Sequence, residues 1–278
     1  MLAKRITTGI IAVPLLVALI YWGPKLVFLI IVMLTVGFSL TEFYKMNLTN
    51  SRFTKALAVT VSLVGVWFIY YYRDYLTLKT TSELSWFIAW SIALITLAVF
   101  FFMLINLIFF TKKMISLPKP FMVIIGILYV SLLLSYLMLM RCREDGRNWV
   151  FFTLLVVWFG DCGAYGIGIL IGKHQLSSVV SPNKTVEGAI GGVAASLIGA
   201  FGAKLWFLKQ LTITHCLVLA LGIAVVGQLG DLCESTFKRR NGVKDSGNLL
   251  PGHGGILDRI DSLLFATPFV YYYIMLIL

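Results

Sequence analysis

Hydrophobic runs of about 20 residues recur along the whole chain, separated by short polar breaks. A helix needs roughly 20 mostly apolar residues to cross the hydrocarbon core of a bilayer. Nine runs meet that length, near residues 6–22, 25–44, 55–72, 85–110, 121–140, 149–171, 187–207, 213–232 and 258–278. The pattern predicts an all-α polytopic membrane protein of about nine transmembrane helices. Short loops leave no room for a soluble domain. The first run follows Lys4-Arg5 as a signal peptide would, but no small-x-small cleavage site follows it, so it reads as a retained helix.

Composition agrees with this reading. The chain is 59% apolar and only 13% charged, with a mean hydropathy of +0.93, which excludes an ordinary soluble domain. Roughly two thirds of the 23 Lys and Arg residues fall on the N-terminal segment and the loops after runs 2, 4, 6 and 8. The positive-inside rule then places the N-terminus in the cytoplasm and the C-terminus outside. Loops 172–186 and 233–257 become cytoplasmic. The net charge of +11 suits contact with anionic headgroups of the lipid bilayer. Nucleic acid is a poor partner, because the cations are divided among short loops. Cys142, Cys162, Cys216 and Cys233 form no CxxC pair and read as free thiols.

Polar residues divide the chain unequally. Residues 1–145 read as a transmembrane scaffold whose spans hold almost no ionisable group apart from Glu42. Trp67, Phe68, Tyr70, Tyr71 and Tyr72 close the third run and mark its outer interface. Residues 146–278 carry Asp161, Asp231, Glu234, Asp258 and Asp261 and read as the catalytic region. Gly160, Gly163 and Gly166 in the sixth run, with Gly188, Gly191 and Gly192 in the seventh, allow close helix approach. No internal repeat is present, which argues against an inverted-repeat, ion-coupled transporter.

A carboxylate within a bilayer costs roughly 3 kcal/mol or more on insertion scales, so each needs a reason. Asp161 lies past mid-depth toward the cytoplasm, Asp231 ends the eighth run there, and Asp258 and Asp261 begin the ninth. All four converge on one half of the membrane. Asp258 and Asp261, spaced i, i+3, share a helix face, and Asp231 pairs with Ser235 at i, i+4. Capping explains one Asp in a first turn. It does not explain two beside Asp231 with Gly-rich backbone before them. Asp231, Asp258 and Asp261 therefore form a candidate metal site, and oxygen-only ligands select a hard cation such as Mg²⁺. A second cation fits the same pattern. Asp161 is equally a ligand or a buried Asp bonded to a Ser, Tyr or Arg on a neighbouring helix.

The stretch 238–262, KRRNGVKDSGNLLPGHGGILDRIDS, concentrates cations, carboxylates and glycines between two apolar runs. Lys238, Arg239 and Arg240 alone would be membrane anchors. Lys244 and Arg259 on either side of the glycines turn the reading toward phosphate binding, with the backbone of Gly252, Gly254 and Gly255 supplying N–H groups. His253 is a general base, a phosphate donor or a loop hydrogen-bonder. In the loop before the seventh run, Thr185 is a candidate N-cap and Glu187 lies in the first turn. Lys184 adds a cation there that capping does not require.

These residues resemble a known family. The run Ser235-Thr236-Phe237-Lys238-Arg239, then Lys244-Asp245, Pro251-Gly252-His253-Gly254-Gly255 and Asp258-Arg259-Ile260-Asp261, resembles the phosphatidate cytidylyltransferases, or CDP-diacylglycerol synthases. Asp161-Cys162-Gly163-Ala164-Tyr165 and SPNKTVEGAIGG at 181–192 are similar to two further family elements, so the resemblance covers about 155–278. Two departures stand out: Ile169 where many members carry Arg or Lys, and Val186 where an aromatic is usual. The resemblance implies a bacterial plasma-membrane enzyme that makes CDP-diacylglycerol and pyrophosphate from CTP and phosphatidic acid, with Mg²⁺. It implies Asp231, Asp258 and Asp261 on the metal. Lys238, Arg239, Lys244 and Arg259 fall on the triphosphate or pyrophosphate, and Lys184 on a lipid or CTP phosphate. Ser235, Asp161 and the Gly252–Gly255 backbone fall on substrate, and His253 near the chemistry. A homodimer is compatible with it. A CTP-dependent polyprenol or phytol kinase, or a CDP-archaeol-type synthase, would use similar parts.

Overall fold

A computed structural model describes residues 14–48, 52–73, 83–110, 118–249 and 254–278. After a helical segment over 14–22, the chain forms α1 (Lys25–Asn47), α2 (Arg52–Tyr71), α3 (Glu83–Phe110) and α4 (Lys119–Gly126). A π-helical turn over Ile127–Leu132 leads into α5 (Leu133–Cys142). Then follow α6 (Gly146–Ile171), a hairpin of β1 (Gln175–Ser177) and β2 (Ser181–Thr185), α7 (Val186–Trp206), α8 (Ile213–Arg240) and α9 (Leu257–Leu276). Among the described residues, seven helices are long and apolar enough to cross a membrane, α4 to α5 counting as one. The chain is thus an all-α polytopic membrane protein, as its hydrophobic pattern predicts. Most of the first predicted run lies outside the described residues.

The ninth run forms a helix for a different reason from the rest. Asp258, Arg259 and Asp261 make α9 too polar to be held by lipid alone. It is buried instead along most of its length, from Leu257 through Ile274, against α8, α5 and α6. Pro268 interrupts its backbone ladder, and Thr267 Oγ1 donates to Leu133 O at 2.7 Å across the interface with α5. Tyr129, on the π-helical turn, is fully buried against Phe43, Phe237 and Phe265.

The predicted small-residue seam holds α6 against α7. A Cβ at Gly160 would lie 2.5 Å from Ser196 Oγ, and one at Gly191 would lie 2.5 Å from Ile167 Cβ. Ser196 Oγ instead donates to Val156 O at 3.1 Å, a bond between two helices at close range. The four cysteines are free.

Two boundaries differ from the apolar pattern. The eighth helix does not stop at residue 232 but runs on to Arg240, so the first eight residues of the expected 233–257 loop are helical. It ends where Gly242 takes a left-handed φ of +65°, with Val243 N donating to Lys238 O and Gly242 N to Arg239 O. That is a glycine C-cap. The 172–186 loop is not irregular either, since β1 and β2 pair antiparallel with Gln175 opposite Thr185.

Candidate active site

Four elements meet at one end of the bundle around a cavity of about 710 Å³. Asp161 comes from α6, Lys184 from β2, Asp231 and Lys238 from α8, and Asp258, Arg259 and Asp261 from α9. Seven of the residues singled out in the sequence therefore line one space. Apolar side chains, among them Val157, Tyr165, Ile169 and Ile223, line the rest of it.

The hairpin explains how Lys184 reaches the cavity. Thr185 is the N-cap of α7, its Oγ1 accepting from Gly188 N at 3.1 Å. Glu187 Oε2 accepts from Lys173 N at 3.0 Å and His174 N at 3.2 Å, which ties the start of the hairpin to the start of α7. Lys184 Nζ then sits 2.5 Å from Asp231 Oδ2. Asp161 Oδ1 accepts from Ser262 Oγ at 3.4 Å, a neighbouring-helix serine of the kind its position allowed.

The acidic residues group differently from their sequence spacing. Carboxylate oxygens of Asp231, Glu234 and Asp261 lie within 4.8 Å of one another. Glu234 is 1% exposed. Its Oε2 forms an ion pair with Lys238 Nζ outside hydrogen-bond geometry, and its Oε1 has no hydrogen-bond partner among the described residues. Three converging oxygen donors, one with an unpartnered buried oxygen, fit a hard divalent cation.

Asp258 is engaged elsewhere. Its Oδ1 accepts from Lys238 Nζ at 2.9 Å, and its Oδ2 accepts from Ser246 N at 2.9 Å and Gly255 N at 2.8 Å. The side chain closes the loop before α9 and fixes Lys238. Gly254 adopts φ +79° beside it, a conformation open to glycine. The Gly255 N–H thus bonds Asp258, and a Cβ there would overlap Ser246 Oγ and come within 2.5 Å of Glu42 Oε2.

The cations also separate. Arg239 Nε donates to Val180 O at 3.0 Å and Nη1 to Val243 O at 3.3 Å, bracing the hairpin and the loop rather than lining the cavity. Lys244 is exposed and outside the cavity lining. Ser235 is buried and also outside it. Gly252 and His253 lie outside the described residues.

Glu42 is the residue whose part the sequence concealed. It is 5% exposed, on α1, and accepts from Ile256 N at 3.1 Å, Leu257 N at 2.9 Å and Ser246 Oγ at 3.2 Å. It caps α9 from another helix and places a negative charge at that helix's N-terminus. Only its isolation within an apolar run signalled a role. Glu42→Gln keeps the shape and removes the charge. Each lost charge-assisted bond should weaken the anchor by about 1.5–3 kcal/mol. Amide exchange over 246–257 should quicken and turnover fall roughly tenfold or more; unchanged exchange and turnover would show that the cap is dispensable.

Comparisons with known proteins agree on one family. A model of the cytidylyltransferase family matches residues 3–277. A phosphatidate cytidylyltransferase of Bacillus subtilis is 33% identical over 275 residues, covering 98% of this chain and 97% of that protein. One from Staphylococcus saprophyticus is 35% identical over 255 residues, covering 91% of this chain and 94% of that one. Another, from Staphylococcus haemolyticus, is 42% identical over 167 residues, which cover 60% and 64% of the two chains. With a family match over nearly its whole length and relatives above 30% identity end to end, the chain belongs to the cytidylyltransferase family.

Proposed function

We propose that the protein transfers the cytidylyl group of CTP to phosphatidic acid, giving CDP-diacylglycerol and pyrophosphate. The observation that carries this is the cavity itself. Acidic residues and the cations Lys184 and Arg259 line it together with apolar side chains of α6 and α8. Such a space takes a polyanion and a lipid together.

A phosphate monoester is largely dianionic near neutral pH, its second pKa being about 6. The lipid phosphate oxygen can attack the α-phosphorus of CTP directly. The new P–O bond forms as the bond to the β-phosphate oxygen breaks, and pyrophosphate leaves. No protein base or covalent nucleophile is required, so His253 need carry no proton. Asp231, Glu234 and Asp261 would hold Mg²⁺, which neutralises phosphate charge as it is redistributed. Lys184 and Arg259 would orient the two anions, and positioning two reactants supplies much of the rate. Lys238, held by Glu234 and Asp258, would set the acidic side chains in place.

The test is direct. Purified protein in detergent, given CTP, Mg²⁺ and phosphatidic acid, should release pyrophosphate and form CDP-diacylglycerol. Transfer to a polyprenol or phytol in place of phosphatidic acid, or no CTP consumption, would overturn the reading.

Sidedness follows from the charge bias. The active-site end should face the cytoplasm. A cysteine introduced at the exposed Asn248 should react with a membrane-impermeant maleimide only when the cytoplasmic face is open. Labelling of intact cells from outside would invert the topology.

A further inference from the structure

A second cavity, of about 340 Å³, lies at the opposite end of the bundle. Its lining includes Tyr21, Lys25, Arg141, Arg143, Asp145 and Arg147. Lys25 begins α1, and Glu42, at the catalytic end, is about 26 Å further along at 1.5 Å per residue. Gly146 and Asp161 are likewise about 22 Å apart along α6. The two cavities therefore lie near opposite faces of a bilayer.

Four cations meet one carboxylate in this second cavity, and Asp145 Oδ2 already accepts from Gln210 Nε2 at 3.5 Å. Helix capping explains part of the arrangement. Arg141 Nη2 donates to Gly23 O at 2.9 Å, Arg147 Nη1 to Tyr21 O at 3.0 Å, and Lys25 Nζ to Cys142 O at 3.4 Å. Each of those bonds uses one donor of a head that carries several. Capping does not explain Arg141 Nε, which is buried with no hydrogen-bond partner among the described residues, on a residue only 6% exposed. A buried guanidinium donor without an acceptor is costly.

Two further features point to an anion. α6 starts at Gly146, so the N–H groups of Arg147 and Asn148 have no intrahelical partner, and both residues line this cavity. The charge bias along the chain puts this end outside, where the positive-inside rule disfavours a cluster of Arg. The depth identifies the source of the anion. Tyr21 and Trp22 are 45% and 75% exposed beside the cavity, and Trp206, at the end of α7, is 70% exposed. Exposed Trp and Tyr sit at the headgroup level of a membrane.

We propose that this cavity binds the phosphate of an anionic phospholipid in the leaflet opposite the catalytic cavity. Arg141, Arg143, Arg147 and the α6 N-terminus would hold the phosphate, and the acyl chains would lie along the outside of the bundle. Free phosphate offers the same charge without the chains, so the two sources can be told apart.

The test uses the purified full chain in neutral detergent. Its thermal unfolding is followed while dioctanoyl phosphatidylglycerol, dioctanoyl phosphatidylcholine or inorganic phosphate is titrated. The phosphatidylglycerol should raise the unfolding midpoint at concentrations where the other two do not. Arg143→Gln/Arg147→Gln should weaken its apparent Kd at least roughly tenfold, as expected for lost charge-assisted contacts. Lys184→Gln, in the catalytic cavity, should leave that Kd unchanged. If the double variant does not fold, Arg143→Gln alone, whose side chain makes no capping bond among the described residues, reads the same loss. Equal binding by parent and variant would overturn the proposal, as would equal stabilisation by phosphatidylcholine or saturation by phosphate alone. Loss of binding in Lys184→Gln instead would move the lipid to the catalytic cavity and equally refute it.

Discussion

Asp261→Asn should abolish turnover, with a loss of at least roughly a hundredfold in kcat, and should raise the Mg²⁺ concentration needed for half-maximal rate. The substitution keeps the shape and removes one of the three converging oxygen charges. Glu234→Gln should behave alike, because it removes the carboxylate whose Oε1 is buried without a hydrogen-bond partner among the described residues. Asp258→Asn should also slow the enzyme, but by another route. Its carboxylate fixes Lys238 and the loop N–H groups of Ser246 and Gly255. Its Mg²⁺ dependence should therefore stay near that of the parent while loop amide exchange quickens. The three variants assayed across a Mg²⁺ titration decide between groupings. A Mg²⁺ requirement shifted by Asp258→Asn and untouched by Glu234→Gln would restore Asp258 to the metal and remove Glu234.

That contrast shows where the sequence was legible and where it was not. Asp161, Asp231, Asp258 and Asp261 could be placed together because charges inside apolar runs are costly and must converge, and Lys184, Lys238 and Arg259 joined them as cations suited to phosphate. Helical spacing then fixed their depth. Which carboxylate touches which partner was not legible, because that depends on contacts distant in sequence. Asp258 and Asp261 share a face at i, i+3, yet Asp258 sits in the first turn. There the loop can fold back so that its Gly255 and Ser246 N–H groups meet the side chain. Glu42 bonds Leu257 across 215 positions of sequence, and no local pattern on α1 reports that. The three consecutive cations looked alike because the apolar run ends at 232. Once α8 continues to Arg240, they fan apart by about 100° each. Lys238 turns to Asp258, Arg239 to Val180 O and Arg240 to Asn106 Oδ1. The Asn241-Gly242 pair was the available stop signal for that longer helix.

Lys238→Met should be the most destabilising single change at this site. A lysine following a membrane span is ordinarily an anchor whose loss alters insertion and little else. Here the ammonium is enclosed, its side chain 11% exposed, between Glu234 and Asp258, themselves 1% and 7% exposed. Its removal leaves two buried carboxylates facing each other with no cation, and breaking a buried pair in this way costs about 3–5 kcal/mol. The thermal midpoint in detergent should fall sharply, and activity should be lost even at temperatures where the variant remains folded. Insertion and orientation should be normal, since Arg239 and Arg240 remain at the same helix end. The destabilisation should be specific to the stranded charges. Adding Asp258→Asn to Lys238→Met should therefore recover part of the lost stability, a positive coupling in the double-mutant cycle. Additive losses, or a Lys238→Met protein as stable and active as the parent, would return Lys238 to the membrane border as an anchor.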